Sequence, residues 1–384
     1  MKEPWSIDDI RNVIDGKPTR RQVLGGAAVL AGGAFMAPYF PVMAAEVGGK
    51  LRLLGWEGET FDDQLAEFVK SKKIDLKISS IANQDDVQIQ LVGKTPTVID
   101  ITAYNEGYAN YYGKQLKILS PLDESKLPNY SSDLIFDQFY KKPFWYWDDQ
   151  LYGVVVAWGL NVLIYNPALV PEPKSYSDLL KPEYKGLLTF TDDILATWPM
   201  IARVTGFADK YPNLTKDELS KAFEAMEPYR AQSRVFAGSI GDTINLFVNK
   251  EIGVLFSGWT GITGETKLQG VETRLGNPVE GGAIWSDAFC IPKTAQNRDT
   301  AHAYINAVLT PEVQAANANK SGVATICKKA IPLLDEKARN AVNYDNLDEV
   351  FRNAPMQGVP PRVSDKYATF DQWIEAWENF KTGF

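Results

Sequence analysis

An aromatic ring and a carboxylate stand two residues apart in Trp285-Ser286-Asp287, within the run Gly281-Gly-Gly-free of breaks from Ala283 to Pro292. Apolar residues alternate from Ile284 to Phe289 and Pro292 closes the run, which predicts a strand. In an extended chain residues i and i+2 point to one side. Trp285 and Asp287 therefore present a flat π face and a negative charge to the same guest. The pair suits an organic cation: the carboxylate meets an ammonium, and the ring adds cation–π and alkyl contact. Taken alone, so short a pattern more often marks a half-buried strand with an incidental aspartate.

Other residues of the same chemical types recur at predicted strand ends. Leu51 to Trp56 reads as a short strand, followed by the loop Glu57 to Thr60 and an amphipathic helix from Phe61 to Val69. Trp56 and Glu59 thus fall at a carboxyl strand edge, where ligands sit in α/β sheets. Thr97 to Ala103 is a strand, and Tyr104-Asn105-Glu106-Gly107-Tyr108 then opens a helix, which puts Asn105 and Tyr108 at a second such edge. Leu187 to Thr191 is a strand, and Asp192-Asp193 starts the helix from Ile194. One of the two caps that helix, which leaves the other free to face a ligand. Gly253 to Ser257 is a strand that ends in Gly258-Trp259.

The elements that must hold these residues are those of an α/β protein in two lobes. Val87 to Val92 is a short helix or strand. Leu151 to Trp158 and Leu160 to Asn166 read as two strands with a break at Gly159, which suits a hinge. The aromatic run Pro143 to Asp149 fits an exposed loop and a cleft rim equally well. The C-terminal third is helical, with Tyr367, Phe370, Trp373, Ile374 and Trp377 as a core-facing stripe. Tyr111-Tyr112 lies in a helix with no His or carboxylate beside it and reads as packing. With no low-complexity linker, the chain is expected to cross between the lobes more than once.

Composition narrows the chemistry. The chain has 384 residues, a formal net charge of -8, one His and two Cys. No dense basic patch points to nucleic acid. The single His302 sits on the polar face of a predicted helix, so no His-based metal cluster is available and a His-dependent catalytic triad has one candidate. No cofactor or metal site is expected.

The N-terminus carries Thr19-Arg20-Arg21-Gln22-Val23-Leu24, a Gly/Ala-rich apolar run to about Ala37, and small residues at Val42-Met43-Ala44-Ala45. This pattern predicts a twin-arginine export leader over residues 1–45, cleaved near Ala45. Glycines, Pro38 and Pro41 break the run too often for a membrane span. The expected address is the periplasm. There Cys290 and Cys327 are able to pair, a point that spacing does not decide.

Taken together, Trp56, the Asp193 region, Trp259, Trp285-Ser-Asp287 and Gln357 resemble the spermidine/putrescine (polyamine) type of periplasmic binding protein in ABC importers. The most specific phrases are Lys181-Pro-Glu-Tyr-Lys-Gly followed by Leu-Leu-Thr-Phe-Thr-Asp-Asp193, and Glu280-Gly-Gly-Ala-Ile-Trp-Ser-Asp287 followed by Ile291-Pro292. The resemblance covers the whole chain after the leader. It implies a periplasmic binding protein type II fold, each lobe a mixed sheet flanked by helices with the ligand cleft between. Lobe 1 would comprise 46–158 plus 286–331, and lobe 2 159–285 plus 332–384. It implies a binding protein and not an enzyme, acting as a monomer, with a small cationic ligand and a membrane permease as partners. Trp56, Trp259, Trp285 and Gln357 match positions that box or hydrogen-bond an aliphatic amine. Asp193 and Asp287 match carboxylates that bind ammonium groups.

The departures concern selectivity. Asn105 stands where the family often has Ser, and Glu59 and Gly107 stand where the spermidine type has tyrosines. Ala196 replaces a second carboxylate one helical turn after Asp193. Either Glu57 or Glu59 substitutes for it, or the ligand differs at that end, as a γ-amino acid or an opine-like compound would. A ligand carboxylate would need an arginine, for which Arg203 and Arg234 are candidates. Less favoured readings are a similarly built iron-binding protein and a paired-carboxylate glycosidase.

Overall fold

The structure, a computed structural model, describes residues 47–383 apart from 57–58, 82–83, 93–95 and 357, and apart from the side chains of 85–86 and 110–112. The leader, Glu57, Gln357 and the Tyr111-Tyr112 side chains therefore lie outside the described residues. The principal strands are β1 (Gly49–Trp56), β2 (Ile74–Ile81), β3 (Ile101–Asn105), β4 (Gly153–Tyr165), β5 (Leu188–Thr191), β6 (Ser233–Ala237), β7 (Val254–Trp259) and β8 (Ala283–Pro292). The helices that matter to the site are α1 (Gln84–Val92), α2 (Ile194–Val204), α3 (Lys216–Gln232), α4 (Thr260–Leu268), α5 (Arg298–Val308), α6 (Pro311–Ser321) and α7 (Phe370–Thr382).

The strands pair in the order β2-β1-β3-β8-β4-β7-β5-β6. The outer groups are parallel: β1 with β2 and β3, β5 with β6 and β7. Parallel neighbours require crossover connections and buried faces, which is why each lobe reads as α/β. The two central strands run antiparallel to their neighbours and to each other. They are 13 and 10 residues long, against about 5–6 for a mean strand, because each serves both lobes. Asp287 to Cys290 of β8 pairs with β3, while Asn161 to Tyr165 of β4 pairs with β7. The protein is thus a two-lobed mixed α/β fold whose lobes share their longest strands.

Where β8 passes from one lobe to the other, its register against β4 shifts between Asp287 and Ala288. Such bulges bend a strand and re-aim a side chain. The expected break at Gly159 is absent: β4 runs unbroken through it. Gly159 lies opposite Trp285 in the ladder, and a Cβ there would come within 2.8 Å of the indole. The glycine makes room for a cross-strand ring and is not a chain break.

Several other expectations are corrected or resolved by packing. His302 is buried, not on a polar face: its Nε2 accepts from Asp123 N–H at 2.9 Å, so the proton is on Nδ1, 2.7 Å from the Arg298 carbonyl. Burial holds its pKa below the usual histidine value, with the Arg298 carbonyl opposing. The Pro143 to Asp149 run is neither loose loop nor rim. Trp145 and Trp147 are buried, Trp147 stacks on Tyr152 with centroids 4.2 Å apart, and Asp148 and Asp149 turn the hairpin at positive φ. Val87 to Val92 belongs to helix α1. Cys290 and Cys327 are free thiols, both buried.

The C-terminal stripe does pack as core. Phe370, Trp373 and Trp377 of α7 are buried against Trp198 and Phe190. Before it, Ala330, Leu334 and Ala338 cluster with Ala315 and Ala318 of α6, and Tyr344 stacks on Phe136. We propose to keep lobe crossings near Trp158 and Trp285 and to move the third from Ile331 to about residues 350–356. There Phe351 touches Trp158 and Met356 bridges to Ile284.

Candidate functional site

Asp287 sits where β8 changes lobes, directly opposite Asn105 at the end of β3. It is buried, 6% exposed. Its Oδ1 is sealed from solvent and has no hydrogen-bond partner among the described residues. Burial pushes its pKa up to about 7, the Trp56 indole and Asn105 amide pull it back, and the Asp193 charge raises it further. Neither donor closes a full hydrogen bond, since Nε1 of Trp56 is also without a partner. Asn105 has its Oδ1 committed to the Gly107 N–H at 3.0 Å, so its NH2 end is what remains for Asp287. A buried carboxylate with unmatched acceptor capacity is expensive to maintain. No Lys or Arg figures among the groups that act on it.

Glu59 shares this neighbourhood. Its N–H closes a turn onto the Trp56 carbonyl at 3.2 Å, and its Oε2 is sealed and unpartnered. Burial first, and then the Asp287 charge, hold its pKa well above the usual carboxylate range. A third carboxylate, Glu106, stands one residue past the end of β3. The Ser286 N–H donates to its Oε2 at 2.6 Å and the Ser286 hydroxyl at 3.0 Å. Glu106 thereby continues the ladder for one step after β3 has turned away. Burial raises its pKa strongly, the Ser286 bonds oppose this, and Asp287 adds to it.

The indoles form the walls. The Trp285 and Trp259 rings meet edge to face, centroids 5.9 Å apart and planes at 84°. Both are partly exposed, and Trp285 Nε1 is sealed without a partner. Trp259 is the last residue of β7 and precedes the first turn of α4. Trp56 ends β1 and packs against the main core. Asp193 is the N-cap of α2: its Oδ1 accepts from Leu195 N–H at 3.1 Å and Ala196 N–H at 3.3 Å. Burial raises its pKa and the two cap bonds lower it. Asp192 is not free for a ligand, because Trp377 Nε1 and Lys381 Nζ each approach it at 2.6 Å. Tyr108 is buried edge-on to Phe370, a packing role at this corner. Gln357 falls outside the described residues.

Two residues that pattern reading passed over are thus part of the arrangement. Glu106 was visible only as one polar residue in a helix opening, and its contact with Ser286 spans 180 positions. Gln84 of α1 accepts from the Asn105 N–H at 3.0 Å and fixes that corner. Gly107 could not have carried the tyrosine of the spermidine type, because a Cβ there would lie 2.9 Å from Val359. The proposed arginines are occupied elsewhere: Arg203 donates to the Glu280 carbonyl at 2.7 Å, and Arg234 pairs with Glu251 at 2.8 Å. A surface depression of about 390 Å³ lined by Asn166, Lys250, Glu272 and Arg274 contains none of the convergent indoles and carboxylates. Among the described residues no group of three or more His, Cys, Asp or Glu is arranged to hold a metal, and no helix is long and apolar enough to cross a membrane.

The model of the family described as bacterial extracellular solute-binding protein matches residues 63–344, well over half of the chain. The chain belongs to that family. Among individual relatives, this solute-binding protein is 26% identical over 351 residues to the spermidine/putrescine-binding periplasmic protein of Escherichia coli K12, covering 91% of this chain and 97% of the relative. It is also 26% identical to a putrescine-binding periplasmic protein of the same organism, over 92% and 97% of the two chains. Its fold matches the crystal structure of a spermidine/putrescine ABC transporter substrate-binding protein from Streptococcus pneumoniae with a TM-score of 0.71, at 20% identity, over 87% of this chain and 99% of that one. The resemblance read from the two long phrases and the strand-end tryptophans is therefore to the right family.

Proposed function

We propose that this solute-binding protein captures a small organic cation, a polyamine such as putrescine or spermidine, and delivers it to the permease of an ABC importer. The observation that carries this reading is the Asp287 carboxylate, buried with an unpartnered oxygen beside Glu59 and the Trp56 indole, two residues from the crossed Trp285 and Trp259 rings. A bound ammonium supplies the positive charge and the N–H donors that the protein itself withholds. The indoles desolvate the alkyl chain and add cation–π attraction. Asp193 contributes a second acidic contact from the other lobe. Closure of the lobes on the ligand gives the permease one shape to recognise. The reading is of a monomeric binding component that performs no chemistry, exported by its twin-arginine leader to the periplasm.

Relatives that carry putrescine or spermidine in their names support this class of ligand. The engagement of Arg203 and Arg234 elsewhere disfavours a ligand with a free carboxylate. The test is mass spectrometry of the small molecule released from natively purified protein, followed by titration calorimetry with putrescine, spermidine and γ-aminobutyrate. An amine with two or more positive charges is the expected ligand. Binding of γ-aminobutyrate alone, or of iron, would overturn the reading.

A further inference from the structure

Glu106 has no part in the reading above, yet its carboxylate is buried within electrostatic reach of Asp287. Glu59, Glu106 and Asp287 thus form a buried acidic group, with Asp193 facing Asp287 across the lobes. The neighbours are otherwise neutral: Trp56 and Asn105 beside Asp287, Ser286 and Met356 beside Glu106, Tyr211 and Tyr108 on the side of Glu106 away from β8. Arg362 lies over the Phe370 ring, 3.7 Å from its centroid, and near Asp371. No Lys or Arg acts on Glu59 or Asp287. Like charges this close in a low dielectric do not all ionise, and they titrate as one coupled set. The second observation that points to a ligand is the same unpartnered Asp287 Oδ1, nine-tenths buried among the indoles.

We propose that capture in this cleft is an exchange of cation for proton, in which Glu106 acts through Ser286 and Asp287 as a positioning and charge-setting residue and Glu59 exchanges at the ligand itself. This rests on the reading that the ligand is an organic cation. In the empty protein the acidic group retains protons on its carboxyl oxygens. When an ammonium arrives, carboxylic acid becomes carboxylate, the ion pair forms, and the displaced proton leaves to solvent. No bond of the ligand changes. The more positive charge the ligand brings, the more protons it displaces, so the acidic group discriminates doubly from singly charged amines and does so more sharply at lower pH. The linkage sign follows: a cation lowers the carboxyl pKa values from their raised empty-state position, so affinity rises with pH until the empty site is ionised. Burial with Asp287 pushed up to about 7 places the steep part of that rise below neutrality.

The experiment is calorimetric titration of the full protein with putrescine and, separately, butylamine, in phosphate and in Tris, whose ionisation heats differ. We expect release of at least about one proton per putrescine, fewer for butylamine, and affinity rising about tenfold per pH unit for each proton released between about pH 5 and 7. In Glu106→Gln the amide oxygen still accepts from Ser286, so the ladder step survives. That variant should release fewer protons and show a flatter pH profile, and the preference for putrescine over butylamine should shrink. Glu59→Gln gives an independent measure if Glu106→Gln fails to fold. Tight putrescine binding with no proton release, or identical pH profiles in both variants and the parent, overturns the inference and leaves the cation-binding reading intact. Failure of any amine to bind overturns that reading instead.

Discussion

Asp100 and Asp287 are both buried aspartates in the same lobe, and they are treated oppositely. Asp100 is fully enclosed, and all its acceptor capacity is used. Its Oδ2 accepts from the Arg52 N–H at 2.9 Å and the Arg52 guanidinium at 3.1 Å, and its Oδ1 from the Gln296 and Asn297 N–H groups, both at 2.9 Å. It ties β1 to the start of α5. Asp287 is nearly as buried but has an unpartnered oxygen, a second carboxylate nearby and no cation. A fold gains by satisfying a buried charge. It retains an unsatisfied one where a ligand supplies the missing partner. The contrast separates an aspartate that builds the lobe from one that waits for a guest.

Substitution at the two sites should pull stability in opposite directions. Asp100→Ala strands the Arg52 guanidinium and three backbone N–H groups, and we expect a loss of about 3–5 kcal/mol in urea unfolding. A loss below about 1 kcal/mol would mean that the network is not structural. Asp287→Asn removes a charge that folding opposes. A carboxyl whose folded pKa is raised loses stability as pH climbs from its unfolded value, near 4, to its folded one, and each unit of the rise corresponds to about 1.4 kcal/mol. The ligand-free variant should therefore be more stable than the parent at about pH 8, by roughly 1–3 kcal/mol, with little difference at about pH 4. Equal unfolding midpoints at both pH values would contradict this. A smaller effect is expected from Gly159→Ala, which drives a methyl group into the Trp285 indole. Affinity for putrescine should fall about tenfold, roughly 1.4 kcal/mol, while the far-UV spectrum stays unchanged. Unaltered affinity would show that the ring position is not critical.

His302 belongs with Asp100 in this contrast. Both its nitrogens are matched, one by Asp123 and one by Arg298, and it clamps α5 to the 119–126 segment. Its sequence neighbourhood suggested an exposed polar face, since helical periodicity records which residues are apolar and not where a polar one finds a partner. The same limit explains the aspartate pair at the start of α2. Sequence establishes that one of Asp192 and Asp193 caps the helix, but Trp377 and Lys381, far along the chain, decide that the other is occupied.

Much of the site was legible because its signals are local. Strand alternation placed Trp285 and Asp287 on one side, and turn and helix-start residues put Trp56, Asn105, Asp193 and Trp259 at strand ends. Two lobes of α/β type followed from the order of elements. What only tertiary structure decided is the cross-strand register: which residue faces Gly159, that Glu106 reaches Ser286, and that Glu59 comes to lie beside Asp287. Periodicity acts through backbone geometry over a few residues, so it is written in the sequence. Burial and electrostatic company arise from segments that meet across more than a hundred positions, and no local pattern carries them.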